Sequence, residues 1–158
     1  MNTERITNIL NNFLDQFGLT CFCGTDYNYY YNTDEIEYCV VTTERYDRLW
    51  KQYLTNRYGN ELDVDFFPIF IWSFLHEVGH SQTNMLFSGE GRALLDEYKN
   101  SLDGSSDEDT LYYFSAPDEN IATYWAFDYI RNNREEVITL CIELAEAFEE
   151  FYKENDLR

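Results

Sequence analysis

Apolar residues recur at helical spacing from the start of the chain. Ile6, Ile9, Leu10, Phe13, Leu14 and Phe17 fall on one face and Gly18 follows as a stop, so residues 3 to 17 predict an amphipathic helix. From Leu19 to Thr42 the pattern changes: "LTCFC" and "IEYCVVT", rich in aromatic and β-branched residues, flank the turn-rich "GTDYNYYYNTDE" and predict strands of a small antiparallel sheet. The run Tyr29 to Tyr31 reads as strand or wet interface rather than as a site. Helical spacing returns in "TTERYDRLWKQYLTNRYGN", with Thr43 placed to cap the helix and Gly59 to end it. In "DVDFFPIFIWSFLHEVGHSQTNMLF", Pro68 suits the first turn of a helix so apolar that it belongs in a core. "GEGRALLDEYKN" predicts a further helix, while the Gly, Ser and Asp of "SLDGSSDEDT" predict a loop and the best candidate for a mobile segment. Ser115 and Ala116 before Pro117, Asp118 and Glu119 open the helix "PDENIATYWAFDYIRNN", and "REEVITLCIELAEAFEEFYKEN" predicts a long amphipathic helix with an acidic, solvated outer face. The sum is an α+β fold, mostly helical, with a small antiparallel sheet.

Composition narrows the picture. A chain of 158 residues suits one domain, taken as residues 1–158, and 44% hydrophobic with 18% aromatic residues supports a packed core. Eleven Lys and Arg against 30 Asp and Glu leave a net charge of −19, which repels phosphate backbones and anionic membranes. Direct nucleic-acid or membrane binding is therefore not expected, and a partner with a basic surface is. The N-terminal "MNTERITNILNNFLDQFG" has neither a signal-peptide h-region nor a membrane span. Cys21, Cys23, Cys39 and Cys141 lack paired zinc-ribbon spacing, so free or buried thiols in a reducing cytoplasm are expected.

The chemistry concentrates in "HEVGH". His76 and His80 are the only histidines, and one helical turn apart they project from the same face, where both imidazoles can reach one tetrahedral Zn²⁺. Glu77, between them, can take a proton from an attacking water and return it to the leaving amine. Gly79 leaves the helix thin beside that face, so another backbone could approach closely. A catalytic zinc keeps three protein ligands and an open position, and the third cannot be histidine, while a cysteine is possible. Glu119, on the first turn of the later helix and followed by Ala122 and Ala126 at close-packing spacing, is the first choice, and Asp118 the second. The competing reading is a structural helix whose histidines are satisfied within the core.

These residues resemble the gluzincin zinc metallopeptidases, and most closely the ImmA/IrrE-type family with its minimal, minigluzincin-like members. "HEVGH" is similar to that family's HExGH, and Glu119, Ala122, Trp125 and Ala126 follow its later pattern E-x-x-A-x-x-[F/W]-A. The resemblance implies a zincin-like fold, zinc on His76, His80 and Glu119, and Glu77 as general base. Family members are often carried by phages and other mobile elements, and some cleave repressors, so the implied substrate is a DNA-binding protein. The chain lacks an obvious helix-turn-helix, and its acidity and the acidic loop between His80 and Glu119 depart from the family.

A developing oxyanion needs a donor besides the metal, and Tyr112 and Tyr113 lie near the third ligand in sequence. The function expected is a zinc-dependent endopeptidase acting on a protein, such as a basic regulator. The alternative is an acidic binding or DNA-mimic protein of a mobile element with a structural or vestigial metal site.

Overall fold

The computed structural model describes residues 2–59 and 66–155. Asn60 of the second expected helix, Asp63 to Asp65 of the apolar stretch, and the two ends of the span 1–158 lie outside the described residues. Helices carry most of the chain, which divides into two compact units. One takes in the chain up to Val40 together with the segment from Ile130 onward, and the other runs from Val41 to Tyr129. Among the described residues, no helix is long and apolar enough to cross a membrane.

In the first unit, α1 (Glu4–Leu14) buries Ile6, Leu10, Phe13 and Leu14, the stripe set by its periodicity. A 3₁₀ turn (Asp15–Phe17) ends at Gly18, whose φ of 69° is the left-handed conformation glycine adopts without penalty. The chain then enters β1 (Thr20–Cys23), β2 (Asn28–Tyr30) and β3 (Glu35–Tyr38). α7 (Arg134–Asn155) buries Val137, Leu140, Leu144, Ala147 and Phe151 and meets α1. Arg5 pairs with Glu146 and Glu150 across that contact, but all three are at least half exposed, so the pairs contribute little.

The sheet is mixed, not antiparallel throughout as expected. Its order is β1-β3-β2, with β1 parallel and β2 antiparallel to β3. To leave β1 and return as β2 the chain must step across β3, about 10 Å at ordinary strand spacing, within residues 24–27. The Glu37 carboxylate makes that step specific. Its Oε2 accepts from Thr25 N at 2.9 Å and Asp26 N at 3.2 Å, and its Oε1 accepts from Asn28 Nδ2 at 3.1 Å and Tyr30 Oη at 2.7 Å. A Cβ at Gly24 would overlap this carboxylate, so any other residue there would have to push it away from these donors.

Burial would raise the Glu37 pKa, but these four donors outweigh it and hold the group below its ordinary 4.5. A depressed folded-state pKa stabilises the fold above the unfolded value, and the gain fades as pH falls through the folded one. Glu37→Gln is therefore expected to cost about 1–3 kcal/mol at pH 7, with the gap to wild type closing below about pH 4.5. Urea unfolding of both proteins at pH 7 and pH 3.5 reads this directly, and a gap that does not change with pH would refute it.

In the second unit, α2 (Glu44–Tyr58) starts where Thr43 Oγ1 accepts from Tyr46 N at 3.1 Å and stops at Gly59, whose φ is 56°. α3 (Ile69–Thr83), α4 (Gly89–Asn100), α5 (Asp107–Phe114) and the greater part of α6 (Pro117–Asn132) complete it. Helix α5 corrects the expected loop, which extends only to Ser106. Ser106 Oγ accepts from Asp109 N at 3.2 Å, and Asp107, Glu108 and Asp109 lie at the positive end of the helix dipole. The segment is also tied to α2: Arg45 donates to Asp107 at 2.8 Å and to the Gly104 carbonyl at 3.2 Å. All four cysteines are free, and burial pushes the Cys21 thiol to about 12, with Cys23 adding to the shift, and that of Cys141 to about 11.

Candidate metal centre

Two helices build the site. Pro68 stands at the N-cap of α3, just before the first turn where the sequence suggested it, and its carbonyl accepts from Ile71 N at 3.0 Å and Trp72 N at 3.3 Å. Residues 71–79 are all buried, which explains an apolar pattern with no polar face. His76 and His80 emerge one turn apart, ring centroids 4.6 Å from each other. Trp50 of α2 stands edge-on to His76 at 5.2 Å, with Phe114 of α5 behind it at 5.0 Å from Trp50.

α6 supplies the carboxylate. Pro117 opens the helix, Asn120 N donates to the Ala116 carbonyl at 2.7 Å, and Asp118 Oδ1 accepts from Glu119 N at 3.0 Å. The helix turns Ala122, Thr123 and Ala126 inward, each fully buried. Where α3 and α6 cross, a Cβ on Gly79 would collide with the Ala122 carbonyl, so glycine allows the two backbones to touch.

That contact sets the Glu119 carboxylate against the histidines. Its Oε1 lies 3.1 Å from His76 Nε2 and 3.1 Å from His80 Nε2. Glu77, also buried, places Oε2 3.8 Å from His76 Nε2. Thr123 Oγ1 donates to the Glu119 carbonyl at 3.2 Å and accepts from His76 Nδ1 at 2.8 Å. His76 therefore has its Nδ1 proton committed, and its Nε2, turned to a carboxylate, needs a second proton or a shared cation.

The electrostatics agree. Burial alone would raise the Glu119 pKa, but hydrogen bonds from His76 and His80, and their charge, take it well below the ordinary carboxylate range. Burial lowers that of His80, yet the hydrogen bond and charge of Glu119, reinforced by Glu77 and Asp118, lift it above the usual value.

One ligand atom from each of His76, His80 and Glu119 lies within 4.8 Å of the other two, an arrangement able to hold a metal ion. Ligand atoms around tetrahedral zinc at ordinary bond lengths stand about 3.3 Å apart. The 3.1 Å separations from Glu119 Oε1 are close to this, and the donor set of two imidazoles and a carboxylate suits zinc.

The structure brings together His76, His80, Glu119 and Glu77 of the residues selected from sequence. Asp118, the second choice for third ligand, turns to Arg92 and Lys99 of α4 at 2.8 and 2.7 Å. Tyr112 is half exposed, and its hydroxyl meets Glu108 one turn earlier at 3.4 Å. Tyr113 stands nearer: Lys99 Nζ lies 5.3 Å from its ring centroid, and burial, then the charge of Glu119, pushes its hydroxyl to about 12. Sequence reasoning missed Thr123, Arg92 and Lys99. Thr123 was within reach of it, since it follows Glu119 by one helical turn. Comparison of the chain with family models, with curated proteins and with solved structures yields no match.

Proposed function

We propose that the chain is a zinc-dependent peptidase of the gluzincin kind, related to the ImmA/IrrE-type family and built on a zincin-like HExxH helix. The observation that carries this reading is the convergence of Glu119 Oε1 on both histidines, with the Glu77 carboxylate held beside them. Zinc, when bound, supplies Lewis acidity that polarises a peptide carbonyl and brings a water's pKa towards about 7. Glu77 takes the proton from the attacking water and carries it to the departing amine. Thr123 fixes His76 in the tautomer whose Nε2 lone pair is free for the metal. Trp50 and Phe114 keep the His76 side dry, which strengthens every charge interaction there.

The substrate proposed is a protein with a basic surface, a DNA-binding regulator among them, because a charge of −19 attracts such a partner and repels nucleic acid itself. Free thiols at all four cysteines suit the reducing cytoplasm proposed as its location. Elemental analysis of purified, zinc-reconstituted protein tests the centre. About one zinc per chain is expected in wild type and close to none in His76→Ala or Glu119→Ala. Wild type without zinc after reconstitution would end the peptidase reading.

A further inference from the structure

The two carboxylate oxygens of Glu119 have different partners. Oε1 faces both imidazoles at 3.1 Å, whereas Oε2 accepts a hydrogen bond from Lys99 Nζ at 2.9 Å. The same ammonium donates to Asp118 Oδ2 at 2.7 Å and lies 5.3 Å from the Tyr113 ring centroid, so its donors are directed at two carboxylates and a π face. Its side chain is only 11% exposed, although α4, which carries it, buries no residue fully. Holding an ammonium out of water is unfavourable unless it is well paired. Anchoring α4 does not require the contact with Glu119: Arg92, on the same face of α4, already reaches Asp118 at 2.8 Å.

Resting on the metal-centre reading above, we infer that Lys99 is a positioning residue that occupies Oε2 of Glu119 and so commits this carboxylate to one-oxygen ligation through Oε1. The consequence follows from counting donors. A carboxylate can offer a metal one oxygen or both. With both, Glu119 and the two histidines would supply four donor atoms, and a bound water would enter as a fifth ligand on a crowded centre. With Oε2 taken by Lys99 they supply three, and the fourth position stays open for water and substrate, as a catalytic site requires. Lys99 also offsets one of the three carboxylates gathered here from Glu77, Asp118 and Glu119, without competing for the oxygen that faces the histidines.

Cobalt(II) loaded in place of zinc reports the coordination number, because its visible absorption weakens on passing from four to five ligands. Wild type, Lys99→Met and Lys99→Arg, each checked by circular dichroism, make the test. Wild type and Lys99→Arg, which keeps a cationic donor for Oε2, are expected to show strong four-coordinate bands. Lys99→Met is expected to lose band intensity as Glu119 becomes bidentate. A lysine that only anchors α4 would change the melting temperature and leave the spectrum alone, so an unchanged spectrum in folded Lys99→Met overturns the inference. Should Lys99→Met lose the wild-type dichroism, Lys99→Leu, which likewise has no donor for Oε2, decides in the same way: unchanged bands refute the role and weakened bands support it. Failure of wild type to take up cobalt at all is a separate result, and it refutes the metal centre itself.

Discussion

Glu77→Gln is expected to keep about one zinc per chain and to lower the turnover of a cleaved protein by roughly 10²–10⁴-fold, with little change in KM. Glu77 is buried against His76, its Oε2 3.8 Å from Nε2, while the ligand atoms that converge belong to His76, His80 and Glu119. Removing its charge should therefore spare the metal. Glutamine has nearly the same shape and still hydrogen-bonds, but it cannot accept the proton of the attacking water. Elemental analysis together with kcat and KM for the same substrate separates the two functions. The variant also discriminates between classes of protein. An acidic binding protein, for which the charge of −19 is the argument, would hold its partner through Glu77→Gln unchanged and lose it steeply with added salt. A peptidase variant without its base would instead capture a partner that wild type cleaves. Wild-type cleavage by Glu77→Gln would remove the residue from the mechanism.

Much of the second unit was legible because its signals are local. Thr43 and Gly59 bound α2 through a cap and a left-handed glycine, and both effects depend on residues within one turn. The i, i+4 spacing of His76 and His80 likewise needs nothing beyond helix geometry. Reading Glu119 as their partner required one long-range step, and the small residues Gly79 and Ala122 carried it. The sheet was less legible, because a glutamate in a strand reads as a solvent-facing residue. Glu37 is instead buried and caps two backbone amides from the chain that crosses over β3, so the parallel pairing depends on contacts that no periodicity records. Helix α5 was hidden for the opposite reason. The Ser106 cap and the acidic first turn were present, but the Gly, Ser and Asp content around them speaks for a loop when it is counted without position. Lys99 left no signal at all: an exposed-looking lysine on an amphipathic helix acquires its role only when α4 lies against α6.

Gly79→Ala is expected to damage the fold of the second unit and the metal centre together. The added Cβ would overlap the Ala122 carbonyl, and a carbonyl in mid-helix cannot swing aside as the tip of a side chain can. The helices must then separate or their backbones bend, and overpacking of this kind costs about 1–3 kcal/mol or more. The damage should reach the site because the contact that is forced open is the one that sets Glu119 against His76 and His80. Zinc bound only to the folded state raises stability by about 2.7 kcal/mol at a hundred times its Kd. In Gly79→Ala that increment should shrink, along with stability in the absence of zinc. Gly91→Ala supplies the control. Gly91 lies in α4, has ordinary backbone angles and has nothing within 4 Å of an added Cβ, so the same chemical change should stabilise by about 0.5–1 kcal/mol through helix propensity. Urea unfolding of the three proteins with and without zinc distinguishes the effects. Opposite signs for the two glycines, with the zinc increment lost only in Gly79→Ala, would tie the α3–α6 contact to metal binding. A Gly79→Ala protein as stable and as zinc-responsive as wild type would mean that the backbones do not meet there, and the alignment of Glu119 with the histidines would need another cause.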